Sequence, residues 1–281
     1  MALEPLDPVR ERTPIVAQSI TPGVSDMGLL EDLLAQLPEG EIVNIRIGLH
    51  WTAVVVLVEG VRRCGLSSTL ESPHKHGGEP QVPKAGDLEK FGSSELSAHA
   101  LEREHPILAS VGVAAINALL PPFQPEDWFE GNAEHVIAAH GVGKHVAIVG
   151  HFPFIPRLRS RVGKLSVLDR HPLNGEYAAE DAPSILPQAD IVAITGMTIA
   201  NHTAEELLKL CSPQALVMVL GPSTPLSPVL FDYGVDLLSG SVVTAIDPVL
   251  RAISQGANFR QIHQAGVQLV TVERTERKKR R

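Results

Sequence analysis

The sequence predicts an α/β protein in which a mostly parallel, doubly wound sheet from the C-terminal half stands beside a smaller N-terminal α+β unit. Three observations carry this. Between Ala189 and Gly240 the chain reads ADIVAITGMTIANHT, ALVMVLGPSTPLSP and GVDLLSG, short apolar runs that stop at Gly, Thr, Ser and Pro. Such runs are strands buried on both faces, as in parallel sheets. From residue 145 onward, strand and helix signals alternate, the pattern of βα repeats. Before residue 121, strand signals come first and helical ones after, the order of an α+β unit.

The elements follow in order. MGLLEDLLAQL, with Leu and Met on one face, predicts a helix over 26–37. EIVNIRIGLHWTAVVVLVEGVRRCGLSSTL predicts strands at 41–49, 51–58 and 61–67, with Glu59-Gly60 as a tight hairpin turn. A Gly-, Pro-, Lys- and His-rich loop fills 72–87. Helices are predicted at 94–104 and 107–120, and the second, ILASVGVAAINALL, is apolar almost all round and therefore buried. Pro121, Pro122 and Pro125 make a connector, after which Asn132 is placed to cap a helix ending at Gly141. Strands follow at 145–150, 165–169, 191–195, 216–221, 235–238 and 267–272, with helices at 183–188, 203–210, 228–233 and 248–255. The expected layout is an α+β domain over 1–120, a connector and helix over 121–144, a sheet domain over 145–272 and a basic tail over 273–281.

Composition narrows the function classes. The 281 residues are 44% hydrophobic and 20% charged, with mean hydropathy +0.09 and net charge −8. The last eight residues carry six basic groups and one acid, a net +5, so the preceding 273 carry −13. An acidic body of this kind does not neutralise phosphates, so no nucleic-acid partner is expected. The tail RTERKKRR reads as a solvated end. Two distant cysteines suggest no disulfide framework, and the N-terminus shows no apolar secretory core. No apolar run approaches the roughly 18 residues of a spanning helix. A cytoplasmic protein with a small-molecule ligand and no membrane partner is expected, with homo-oligomerisation left open.

In open α/β sheets ligands bind outside the carboxyl ends of the strands, so the residues just past each run are the candidates. The strand at 145–150 ends in Gly150, His151, Phe152 and Pro153, without the GxGxxG that admits a pyrophosphate. Asp169 ends the next strand 19 residues beyond Gly150, where an acid in nucleotide-binding folds holds ribose hydroxyls; a turn aspartate is the plain alternative. Thr195, Gly196, Thr198 and Asn201 follow the third strand, and Asn201 or His202 is placed to cap the helix after it. Gly221, Pro222, Ser223 and Thr224 follow the fourth, a stiff hydroxyl-lined loop able to cradle an anion on backbone N–H groups. The first unit adds Trp51, which reads as core, and Cys64 and Ser67 at the end of its third strand. A lone Cys in a strand is more often a small apolar filler than a ligand. For metals the candidates are His74 and His76, two apart in SPHKHGG, with Cys64, and His151 beside the strand ends. His151 and Asp169 are the candidates for proton transfer. No HExxH, CxxC, GxSxG or Walker A pattern is present.

The segments LPQADIVAITGMTIANHT, LVMVLGPSTPLSPVLFDYGVDLLSG, VAIVGHFPF and LSVLDRHP, with GLHWTAVVV and GVRRCGLSSTL in the first unit, resemble a prokaryotic family named for heavy-metal chelation. The resemblance covers most of residues 25–272 and leaves the basic tail and the HKHGG loop unassigned. It implies an N-terminal domain like that of enolase, a Rossmann-like C-terminal domain and a site in the cleft between them. One functional reading is therefore binding of a metal chelate or its organic chelator between the domains. Its walls would be His151, Asp169, Thr195, Thr198, Asn201, Ser223 and Thr224 on one side, and Cys64 to Ser67 on the other. The alternative is an enzyme using S-adenosylmethionine or an atypical dinucleotide, with Asp169 on a ribose. The third strand of the first unit is expected to face Gly196 and Ser223 across a ligand-sized pocket.

Overall fold

A computed structural model describes residues 27–71, 79–129 and 133–274. The helix α1 (Leu29–Leu34) precedes a meander of β1 (Glu41–Ile47), β2 (Trp51–Val58) and β3 (Val61–Ser68). Its order is β1-β2-β3, antiparallel throughout. The β2–β3 turn has Glu59 at φ 51° and Gly60 at φ 77°, the two left-handed residues of a type I′ hairpin. The helices α2 (Ser93–Ala98) and α3 (Pro106–Leu119) follow.

The second sheet has eight strands. Its elements are β4 (Trp128–Phe129), α4 (Ala133–His140), β5 (His145–Val149), α5 (Ile155–Leu158), β6 (Lys164–Asp169), β7 (Tyr177–Ala178), α6 (Ala182–Ile185) and β8 (Ile191–Thr195). Then come α7 (Met197–Ala200), α8 (Ala204–Leu210), β9 (Leu216–Leu220), α9 (Val229–Asp232), β10 (Leu237–Val243), α10 (Ile246–Ser254), α11 (Phe259–Gly266) and β11 (Val267–Glu273). The spatial order is β4-β11-β10-β9-β8-β5-β6-β7. Strands β5 to β10 run parallel, and β11 returns antiparallel with β4 beyond it. The order reverses between β5 and β8, the switch point of a doubly wound sheet.

Alternation along the strands sorts the core. Ala147, Val149, Val192, Ile194, Val217 and Val219 face one layer, with α1, α6, α8 and α9. Val146, Ile148, Ile191, Ala193, Met218 and Leu220 face the other, with α4 and α5. The small sheet is also buried on both faces: Val54, Val56 and Val58 pack on α3, while Ala53, Val55 and Leu66 pack on α10 and α11. Helix α3 lies between, with Val113 and Ile116 in the large sheet's layer and Val111, Ala114 and Ala115 in the small sheet's, which explains its apolar character on every side.

Most elements fall within two or three residues of the sequence reading. The first helix is shorter, Leu29–Leu34 rather than 26–37. The helix expected over 94–104 ends at Ala98 and continues as a 3-10 turn over His99–Leu101. The third strand extends to Ser68, so Cys64 lies mid-strand rather than at its end. The strand expected at 235–238 runs from Leu237 to Val243. Helix α11 was not predicted; Asn258 and Gln261 form a reciprocal capping box at its start. The His74–His76 loop, the Asn132 cap and the tail after Arg274 lie outside the described residues. Among the described residues no helix is long and apolar enough to cross a membrane.

Candidate functional site

The parallel strands bring their carboxyl ends to one edge. There β5 runs into α5 on one face of the sheet, while β8 runs into α7 and α8 on the other, the divergence that in doubly wound sheets opens a crevice at the switch point. Gly150 turns the chain out of β5 at φ 103°, a conformation that disfavours a side chain. A Cβ there would also lie 3.0 Å from Thr195 Cγ2 at the end of β8. Gly150, Phe152, Asp169 and Thr195 are half-exposed and His151 is exposed. Phe152 stacks on the buried Phe154, ring centroids 5.1 Å apart.

His151 is held between two carboxylates. Its Nε2 lies 2.5 Å from Glu176 Oε2, and its Nδ1 lies 3.6 Å from Asp169 Oδ2. Only 5% of the Glu176 side chain is exposed, against 36% for His151. Burial raises the Glu176 pKa, but the bonds from His151 and from the Leu173 N–H (2.8 Å) outweigh it and hold this carboxyl below its ordinary value. Glu176 is therefore an acceptor, and His151 Nε2 is the donor. At 3.6 Å the Nδ1–Asp169 pair is beyond a hydrogen bond, and the other Asp169 oxygen accepts the His171 N–H (2.9 Å). Sequence reasoning named His151 and Asp169 as candidates and did not name Glu176, which the fold brings to the same histidine. Glu176 sits in the β6–β7 loop after Gly175, and nothing local separates it from Glu180 or Asp181.

The other half of the edge is filled by protein. Gly196, Thr198, Ser223 and Thr224 are buried, as is Ser67 of β3. The Ser68 N–H donates to Ser223 Oγ (2.8 Å), and the Ser223 hydroxyl donates to Ser68 Oγ (3.1 Å). Asn117 of α3 donates to the carbonyls of Leu66 (2.8 Å) and Ser223 (3.2 Å). The end of β3 thus meets the β9 loop in direct contact. A Cβ on Gly196 would lie 2.6 Å from Thr224 N, so only glycine lets these two turns approach. In the Gly221–Thr224 loop the Gly221 N–H donates to the Ser239 carbonyl and the Thr224 N–H to the Gly221 carbonyl, both at 2.9 Å. Pro222 has no N–H. Gly221 and Pro222 are half-exposed.

Asn201 Oδ1 accepts from the Thr203 N–H and hydroxyl, folding the turn before α8; the cap position is Thr203 rather than the expected Asn201 or His202, and no side chain caps the helix there. The Thr198 hydroxyl donates to the Thr195 carbonyl (2.7 Å). Thr198 and His202 also border a cavity of about 210 Å³ between α1, Leu101 and α8, smaller than the roughly 300–1,000 Å³ of usual ligand sites. Cys64 packs among Ala53, Val249 and Ile253, and burial pushes its thiol up to about 12. It behaves as an apolar filler. Trp51 packs against Phe259, centroids 6.0 Å apart. Among the described residues no group of three or more His, Cys, Asp and Glu is arranged to hold a metal ion.

Comparison with known proteins bears on this geometry. Residues 134–271 match the family model DUF364 and residues 30–120 match DUF4213, both described as "Putative heavy-metal chelation". A crystal structure of a DUF364-family protein of unknown function from Desulfitobacterium hafniense has 26% identity and TM-score 0.75, covering 88% of this chain and 98% of that one. A second, from Pyrococcus horikoshii, shares the fold at 22% identity and TM-score 0.71, with the same coverage. An uncharacterised protein of Methanocaldococcus jannaschii is 26% identical over 231 residues, 78% of this chain and 85% of that one. The two family matches leave only short segments of the described chain unmatched, their shared description is the one the sequence resemblance implied, and the chain belongs to the family that the two models together describe.

Proposed function

We propose that this protein binds a small organic ligand, a metal chelate or its chelator, in the open half of the strand-end edge. The single observation that carries the reading is that Gly150, Phe152 and Thr195 meet, half-exposed, at the strand ends where the order reverses, the edge at which such sheets bind ligands. A titratable triad of His151, Asp169 and Glu176 stands at that edge. The family's description supports a metal-linked ligand. The ligand is assigned to the β5–β6–β8 side, since hydrogen bonds join Ser68 to Ser223 on the other.

A nucleotide-type cofactor has less support. The Gly150 N–H donates to the Leu168 carbonyl (2.8 Å), and the helix after it has four residues with proline in its first turn. The phosphate donors of a dinucleotide site are therefore not assembled there.

The test is native mass spectrometry of the protein purified from its own cells. The expected result is a copurified organic species, lost when Thr195→Tyr fills the crevice and reduced by Phe152→Ala, with thermal melts confirming that both variants fold. A wild-type protein carrying nothing, or a species retained in both variants, overturns the reading.

A further inference from the structure

We infer that His151 Nδ1 and Asp169 Oδ2 form a two-point coordination site for a borderline divalent transition-metal ion, with Glu176 as the residue that positions the imidazole. The inference deepens the ligand reading above and rests on it, because the organic ligand assigned to these strand ends would supply the ion's remaining donors.

Geometry is the first argument. Nitrogen and oxygen donors each about 2.0–2.1 Å from one ion, at a tetrahedral angle, stand about 3.4 Å apart. Nδ1 and Oδ2 are 3.6 Å apart, too far for a hydrogen bond and close to that spacing. The second argument is the tautomer. Metal-binding histidines commonly donate their other ring N–H to a carboxylate, which fixes the ring and its lone pair. Here Nε2 faces Glu176 Oε2 at 2.5 Å, so in the neutral ring Nδ1 carries the lone pair, on the side of Asp169. Glu176 is itself held by the Leu173 N–H at 2.8 Å. Asp169 keeps Oδ2 available while the His171 N–H anchors Oδ1 at 2.9 Å.

The third argument is chemical class. One imidazole and one carboxylate suit Zn²⁺, Ni²⁺, Co²⁺ or Cu²⁺ better than ions that favour thiolates. The thiol that the sequence offered as a candidate, Cys64, is packed elsewhere, in the layer between the small sheet and α10. Two protein donors leave at least two positions of a tetrahedral ion unfilled. The site therefore suits a metal that arrives with an organic chelator already on it.

The experiment uses the full chain carrying His74→Ala and His76→Ala, so that the histidine pair outside the described residues adds no background. Zn²⁺ is titrated against a chromophoric competitor, and Co²⁺ is followed by its visible absorption. One ion per chain is expected. Affinity should fall at least about tenfold in H151A and in D169A, and about 10–100-fold in E176Q, where both donors remain. E176Q should also alter the Co²⁺ spectrum, which a loss of general stability would not do while circular dichroism shows a folded protein. No ion bound, or one bound equally well by H151A and D169A, overturns the inference. If the copurified organic species persists while Zn²⁺ and Co²⁺ do not bind, the metal site fails and the ligand reading stands. Should that species also be absent, both fail.

Discussion

Ser223 looked in the sequence like part of an anion cradle, and in the structure it is a tie between two sheets. It accepts the Ser68 N–H and donates to Ser68 Oγ, with only 1% of its surface exposed. Ser223→Ala leaves the half-buried Ser68 N–H without its acceptor, which costs up to about 1–3 kcal/mol. Urea denaturation should show a lower midpoint at unchanged slope; an unchanged midpoint would mean that water replaces the hydroxyl. Glu176 yields a prediction in pH. Its folded pKa lies below the ordinary value of 4.5, so its bonds add stability that is complete above the unfolded pKa and is lost as pH falls through the folded one. Stability of the wild type should therefore decline more steeply than that of Glu176→Gln from about pH 4.5 downward, measured by thermal melts across an acid series. Parallel curves would remove Glu176 as a contributor. The residues at strand ends were legible because an apolar run stopping at a glycine shows where a strand ends. Glu176 and the role of Ser223 were not, because their partners lie 25 and 155 residues away and only the fold brings them together.

At the level of elements, α3 shows how a helix can be read correctly and still conceal what it does. Its uniform apolarity announced burial, but not that backbones approach it on two sides. A Cβ on Gly112 would lie 1.9 Å from Ala100 N, and one on Gly65 of β3 would lie 2.2 Å from the Ala114 carbonyl oxygen and from Ala118 N. These neighbours are backbone atoms and cannot rotate away. Gly112→Ala should destabilise by about 1–3 kcal/mol or more, the usual cost of overpacking a core. Gly92→Ala, where a Cβ meets nothing within 4 Å, should be nearly neutral in the same denaturation assay. Equal effects would refute close packing as the cause. Sequence periodicity placed the long apolar strands closely because they alternate between two buried layers. It failed at α5, α7 and α11 and at the two-residue strands β4 and β7. The four residues of α7 are too few to show a period, and in the sequence they stand among the small and hydroxylated residues past a strand end. Helix α11 buries little beyond Ile262, so its polar face outweighs the apolar signal, and its one clear mark was the Asn258–Gln261 cap.

For the whole molecule, the sequence separated two units at the prolines of 121–125, yet each half lends elements to the other's core. Helix α1 packs in the large sheet's layer. Its Asp32 accepts the Tyr233 hydroxyl at 2.7 Å, and the Leu29 N–H donates to Glu205 at 3.2 Å. In return α10 and α11 close the outer face of the small sheet, so tightly that a Cβ on Gly48 would lie 2.5 Å from the Ile253 carbonyl oxygen. Neither exchange was visible in one sequence, because amphipathic helices reveal that they have a buried face but not which sheet covers it. A cut in the connector therefore severs one crossing of the chain and leaves four packed seams: α1 and α3 on the large sheet, α10 and α11 on the small one, and Ser68 on Ser223. With a protease site inserted at 121–124, the cleaved halves should co-elute on gel filtration under native conditions and separate only in denaturant. Raising the salt should not release them, because the seams are mostly apolar and the exposed Arg62–Asp247 pair (3.0 Å) contributes little. Halves that part in native buffer would show that the two sheets stand alone. The strand-end edge would then no longer be held against β3, and the Ser68–Ser223 seam could not be the wall that confines the ligand to the His151 side.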